Sequence, residues 1–185
     1  MARPLVVYTI GHSTRSVDEL VALLHENGVR AVADVRSFPA GKRQPHFGKA
    51  HLEQALPAAG LAYVHLPALG GYRRPRPDSR NTGWKSAGFR GYADHMETAA
   101  FEAGAAELLR RAAEAPTAIM CAEAHWARCH RQLLADWLVA QGVEVRHILG
   151  PGRTALHRPT PFARLAGGRV AYPGPSRERE DDGRA

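Results

Sequence analysis

The sequence predicts a three-layer α/β domain built on a parallel sheet of about five strands. Three observations lead there. Short β-branched apolar runs alternate with helix-periodic segments through the first 150 residues, and such alternation puts helices on both faces of a parallel sheet. A length of 185 residues suits one domain with a substantial core. The apolar fraction of 44% and charged fraction of 23% are ordinary for a globular chain.

Residues 5–10 are an apolar run closed by Gly11, as in a buried strand. Ser16 and Glu19 have capping-box spacing. Leu20, Leu23 and Leu24 follow at helical spacing, and Gly28 ends that helix. Residues 31–35 read as a second strand, 49–59 as a helix weakened by Pro57, and 61–66 as a third strand. From 67 to 91 periodicity fails, and glycine, proline and arginine crowd around Tyr72, Trp84 and Phe89. An aperiodic segment of that length inside a domain points to function or mobility. Helices resume over 92–96 and 101–113, a fourth strand covers 117–121, and Leu133, Leu134, Trp137 and Leu138 mark a helix over 129–140. Residues 143–148 are the fifth strand. Residues 1–150 are therefore expected to form the domain, and the Pro/Gly/Arg-rich 151–185 a partly disordered tail.

Right-handed crossovers favour the strand order 3-2-1-4-5. The winding then reverses between strands one and four, and ligands of open parallel sheets bind beyond the carboxyl ends of strands at such a point. That brings residues 12–15 beside 121–123, with Asp34 and Arg36 adjacent.

Composition narrows the partners. No run approaches the roughly 20 apolar residues of a membrane span, so no membrane partner is expected. Residues 1–4 lead straight into a strand and do not resemble a signal peptide. Two cysteines make no disulfide framework, which suits a reducing cytoplasm. The net charge is +7, and residues 36–90 hold ten Lys or Arg against two acids. An anionic partner, small molecule or nucleic acid, is expected. A general bias toward arginine and alanine would produce the same count.

His12, Ser13, Thr14 and Arg15 lie between a strand and a capped helix, where free backbone N–H groups favour an anion. His12 suits acid–base work near neutral pH, and the same residues also suit a plain helix cap. Cys121 ends a strand shortly before a helix, where a thiolate nucleophile is favoured. Cys129 shares a helical face with Leu133 and reads as core. Phosphatase chemistry is unfavoured, because six residues, none of them glycine, separate Cys121 from Arg128. Zinc is unfavoured too: no Cys-x-x-Cys occurs, and Cys129 and His130, as helix neighbours, would diverge by roughly 100°. Asp34 and Arg36 either bind substrate or form an ion pair. Gly70 and Gly71 permit an unusual backbone path. Arg73, Arg74, Arg76 and Arg80 could follow phosphates, with Tyr72 and Trp84 stacking on bases. With no Gly-rich dinucleotide fingerprint and no P-loop, neither a cofactor nor a metal is expected.

TIGHSTR (9–15), DVRSFP (34–39), LGGYRR (69–74), FRGYADHM (89–96), MCAEAHWARCHR (120–131) and GVEVRHI (142–148) occur in this order. Together they resemble the domain of unknown function 488 family over about residues 5–150. The resemblance implies a Rossmann-like fold and brings no assigned activity. It extends the site to His12, Ser13, Arg15, Asp34, Arg36, Gly70, Gly71, Tyr92, Cys121, Glu123, Cys129, His130 and Arg131. The reading that follows is an enzyme for a phosphorylated, nucleotide-like or nucleic-acid substrate. Cys121 would be nucleophile or redox thiol, Glu123 or His12 the acid–base group, and Arg15, Arg36 and Arg131 the anion clamp. A non-catalytic nucleic-acid module in DNA maintenance and a small-molecule sensor are the alternatives.

Overall fold

A computed structural model describes residues 3–175. Six strands form the main sheet: β1 (Val6–Gly11), β2 (Ala31–Asp34), β3 (Ala62–His65), β4 (Thr117–Cys121), β5 (Glu144–Gly150) and β6 (Arg153–Leu156). Five helices accompany them: α1 (Val17–Glu26), α2 (Lys49–Ala58), α3 (Ala87–His95), α4 (Ala99–Glu114) and α5 (Arg131–Ala140). The sheet is parallel except for β6, which runs antiparallel to β5. Side-chain alternation along the strands divides the core in two. Ala118 and Met120 face α1 and α2 through Leu20, Leu24, Leu52 and Leu56. Ile119 faces the other layer, where Phe101, Leu108, Leu133 and Leu138 come from α4 and α5. The three-layer α/β class is as expected. The Ser16–Glu19 capping box opens α1 with both of its hydrogen bonds made.

The strand order is β3-β2-β4-β1-β5-β6, so the two central strands exchange places relative to the expected order. Every residue of β4 is buried, whereas β1 keeps Val6 and Tyr8 partly exposed. The β1–β4 neighbourhood survives the exchange. Its consequence for the site is that Cys121, at the end of β4, is flanked by the ends of both β1 and β2.

The expectation of a tail from residue 151 is corrected as far as Pro175. Residues 151–175 supply β6 and a hairpin of β7 (Arg164–Ala166) and β8 (Arg169–Ala171). Fully buried Asp136 on α5 ties them down. It accepts hydrogen bonds from His157 Nε2 (2.8 Å), Thr160 Oγ1 (2.7 Å), Thr160 N–H (3.0 Å) and Tyr172 Oη (2.7 Å). Composition cannot register a single buried acceptor that collects scattered polar donors. The remainder of the expected tail, residues 176–185, lies outside the described residues.

The aperiodic 67–91 segment is ordered by similar means. Asp94 accepts from Arg76 N–H (2.8 Å), Ser79 Oγ (2.7 Å) and Asn81 Nδ2 (2.8 Å). Among the described residues no helix is long and apolar enough to cross a membrane.

Asp136→Ala leaves the His157, Thr160 and Tyr172 donors without their acceptor. We expect a stability loss of about 3 kcal/mol in urea unfolding. A loss below about 1 kcal/mol would show that residues 151–175 do not depend on this carboxylate.

Candidate functional site

The β1–β4 ladder continues past the strand ends. The His12 N–H donates to the Cys121 carbonyl at 2.9 Å, and the Ser13 N–H to that of Ala122 at 3.0 Å. Gly11 makes this possible, because a Cβ there would lie 1.9 Å from the Glu123 carbonyl oxygen. Ser13 has a positive φ of 48° at the turn. The two segments that the sequence expects to meet are thus joined through their backbones.

After Cys121 the chain makes a single 3-10 turn at Trp126–Arg128. Cys129 is then extended (φ −129°, ψ 153°), and His130 is the N-cap of α5. The ligating atoms of Cys121, Cys129 and His130 lie within 4.8 Å of one another. Cys129 is buried in the same core cluster as Leu133, as expected. The argument that separates it from His130 is corrected: it assumes that both residues are already helical, and the helix begins only at Arg131.

Cys129 Sγ is 3.6 Å from His130 Nδ1. The other ring nitrogen, Nε2, faces the Val35 carbonyl at 3.0 Å. That contact assigns the ring proton to Nε2 and leaves Nδ1 as the acceptor. Tyr92 lies against the same ring, with centroids 5.1 Å apart, and donates its hydroxyl to the Leu69 carbonyl at 2.8 Å. On a third side the bare Gly71 admits the ring, since a Cβ would stand 3.1 Å from Nδ1.

The two thiols are not equivalent. The nearby Cys129 sulfur, reinforced by burial, pushes Cys121 well above the usual thiol range. The proximity of Cys121, aided by His130 and Arg131 against burial, holds Cys129 well below it. Arg131 is 1% exposed and donates Nη2 to the Glu123 carbonyl. Its Nε is buried without a partner, and among the described residues no carboxylate lies within 4 Å of it. A buried cation of this kind, beside a helix start, favours a thiolate.

Cys121, Cys129, His130, Tyr92 and Gly71 line a cavity of about 590 Å³, together with Arg36, Arg43, Arg128 and Glu123, and Arg131 does not line it. Arg36 is neutralised by fully buried Asp34, with Nε to Oδ1 at 2.9 Å and Nη2 to Oδ2 at 2.6 Å. Tyr63 donates a further bond to Asp34 Oδ2 at 2.6 Å. Arg36 Nη1 also lies 3.2 Å from His12 Nε2, while His12 Nδ1 faces the Ser13 carbonyl at 3.0 Å. Burial pushes the His12 pKa down to about 4. His12 is therefore a neutral acceptor behind Arg36, with Phe47 stacked on it at 4.2 Å, and it does not line the cavity.

Other expected site residues separate. Ser13 and Arg15 do not line the cavity, and Arg15 reaches the carbonyls of Gly11 (3.4 Å) and Leu149 (3.3 Å). Glu123 is exposed and accepts the His125 N–H at 3.2 Å. Gly70 packs against Ser37. Arg73 holds the carbonyls of Gly70 and Pro67, and Arg76 pairs with Glu97. These two arginines brace the loop. Trp84 is buried against Phe89, Phe162 and Tyr172, so it is core and not a stacking platform. Sequence reasoning missed Phe38, Arg43 and Arg128 as cavity residues. It also undervalued Cys129, although a Cys-His pair at a helix start was a legible signal.

Fold and site together define a Rossmann-like α/β protein with a Cys–Cys–His cluster at the carboxyl edge of its sheet. The chain belongs to the family described as Domain of unknown function DUF488, whose model matches residues 16–138. That span holds the whole cavity lining but not His12, Ser13 or Arg15. Comparison with curated proteins and with solved structures gave no match.

The buried histidines set a pH dependence. An unfolded His12 titrates near 6.5 but the folded one near 4, so between these values the unfolded state binds more protons and stability rises with pH. His147, pushed down to about 3 by burial, acts in the same direction. Stability should therefore fall as pH drops from about 6.5 toward 4, and His12→Gln should flatten the slope. Equal slopes in the two proteins, measured by urea unfolding across this range, would mean that His12 titrates alike in the folded and unfolded states.

Proposed function

We propose that the cavity is the active site of a cysteine-dependent enzyme for an anionic substrate, with Cys129 as its nucleophile. One observation carries this reading: the Cys129–His130 pair at 3.6 Å, with the far nitrogen of His130 anchored on the Val35 carbonyl, opens on the cavity. This is the nucleophile, base and orienting group of covalent catalysis. His130 Nδ1 takes the thiol proton, and Cys129 Sγ forms a bond to the electrophilic centre of the substrate. The leaving group departs with its bonding electrons and receives that proton from His130. Water or a second acceptor then attacks the same centre while His130 Nδ1 takes its proton, and the sulfur leaves as thiolate. Cys121, kept neutral, lies beside that thiolate, and Arg131 supplies a buried positive charge.

The convergence of Cys121, Cys129 and His130 supports a second reading, a soft metal such as zinc. Three protein ligands with a fourth position toward a cavity are the usual plan of a catalytic zinc site. The His130–Val35 bond is the outer contact that a metal-binding histidine typically makes.

Alkylation by iodoacetamide, mapped by mass spectrometry against pH, tests both. Under the first reading Cys129 takes the label well below the pH at which a free thiol reacts, and His130→Ala moves its profile upward. Preferential labelling of Cys121, or a Cys129 profile centred near 8.5, would sink the nucleophile assignment. The metal reading requires about one zinc per chain in the purified protein, and labelling of both cysteines only after chelation.

A further inference from the structure

We infer that Phe38 and Tyr72 form an aromatic clamp over the mouth of this cavity, which takes the base of a nucleotide whose phosphate meets Arg43 and Arg128. The inference rests on the reading that the cavity is a substrate site, and it names the substrate class.

Phe38 is 80% exposed and Tyr72 91%, the two most exposed large hydrophobic side chains of the described residues. Their ring centroids are 6.5 Å apart with a 40° tilt, at the wide end of ring contact. Both line the same cavity as the buried cysteines. Core packing does not explain either ring, because each leaves nearly all of its surface in water.

Backbone cost points the same way. Tyr72 has φ +58°, and Ser13 is the other non-glycine residue of the described chain with a positive φ. A bulky residue in this region is strained, and such strain persists where surrounding structure enforces it. Glycine would occupy the position freely, so the fold gains nothing from a tyrosine there.

The enforcing structure can be traced. Ser37 Oγ donates to the Gly71 carbonyl at 2.8 Å. Gly70 lies so close to Ser37 that a Cβ would stand 2.3 Å from its Oγ and 2.9 Å from its Cα. Ser37 and Gly71, joined by that bond, immediately precede Phe38 and Tyr72. The loops after β2 and β3 are thereby stapled so that Phe38 and Tyr72 stand side by side.

Charge selects the occupant. Arg43 and Arg128 line the same cavity, and among the described residues neither side chain makes an ion pair. Arg36 is neutralised by Asp34, and Glu123 is the one carboxylate on the wall. Two unpaired guanidinium groups beside two open aromatic faces suit a flat ring that carries a phosphate. A free nucleotide and a nucleotide within a single strand share this chemistry.

Calorimetric titration separates these cases. The ligands are AMP, ribose 5-phosphate and a six-residue oligothymidylate, against wild type, Phe38→Ala and Tyr72→Gly. AMP should bind wild type at least about 5-fold more tightly than ribose 5-phosphate does, and each variant should lose about 5- to 150-fold for AMP. Ribose 5-phosphate affinity should not change in either variant. Tyr72→Gly should melt at or above the wild-type temperature because the strained φ is relieved, which a purely structural tyrosine would not combine with lost affinity. If the hexamer binds more tightly than AMP, with a steeper salt dependence, the source is single-stranded nucleic acid. Equal affinities identify the free nucleotide. The clamp is overturned if neither AMP nor the hexamer binds, or if both variants bind AMP as wild type does. Cys129 alkylation is independent of the clamp, so an unchanged alkylation profile in Phe38→Ala isolates a failure here from a failure of the thiol reading.

Discussion

A side chain at position 11 would collide with the backbone of Glu123, and much of the site depends on that missing side chain. With glycine there, the segment after β4 folds across the end of β1 and is held by two backbone hydrogen bonds. The Glu123 carbonyl is then placed to receive Arg131, and the chain returns so that Cys129 lies beside Cys121. The crossing relies on close backbone approach, which glycine alone permits.

The site handles its cations in two ways. Arg36 faces the cavity but is matched by the buried Asp34 carboxylate, and His12 and Tyr63 complete that network. It therefore contributes shape and directed N–H groups more than net charge. Arg131 is buried with no carboxylate beside it among the described residues. An unmatched buried cation is costly unless an anion compensates it, and the thiolate of Cys129 is the anion that the surroundings favour. Burial, which would otherwise keep a thiol protonated, here strengthens the attraction between the two charges.

Local rules are broken where the cavity opens. Tyr72 takes a backbone conformation suited to glycine, Phe38 lies open to water, and Gly70 and Gly71 allow two loops and the His130 ring to approach closely. Elsewhere the chain follows ordinary preferences: capped helices, alternating strand faces and a carboxylate beneath each irregular segment. Departures concentrated around one cavity mark the part of the molecule that stability alone does not explain.

Periodicity, capping and turn chemistry by themselves determined the α/β class, every strand of the parallel core and the meeting of residues 12–13 with 121–122. These are local or nearest-neighbour properties, which a linear pattern records. The exchange of the two central strands belongs to the assembled sheet, which no linear pattern records. Where α5 begins was likewise a tertiary outcome, and those two residues of difference bring Cys129, still buried in the core, beside His130. His12 and Arg15 show the converse. Their types suit catalysis and anion binding, yet packing commits them to Arg36 and to backbone carbonyls. Residue type states what a side chain can do, and only the folded surroundings decide which of its atoms remain free to do it.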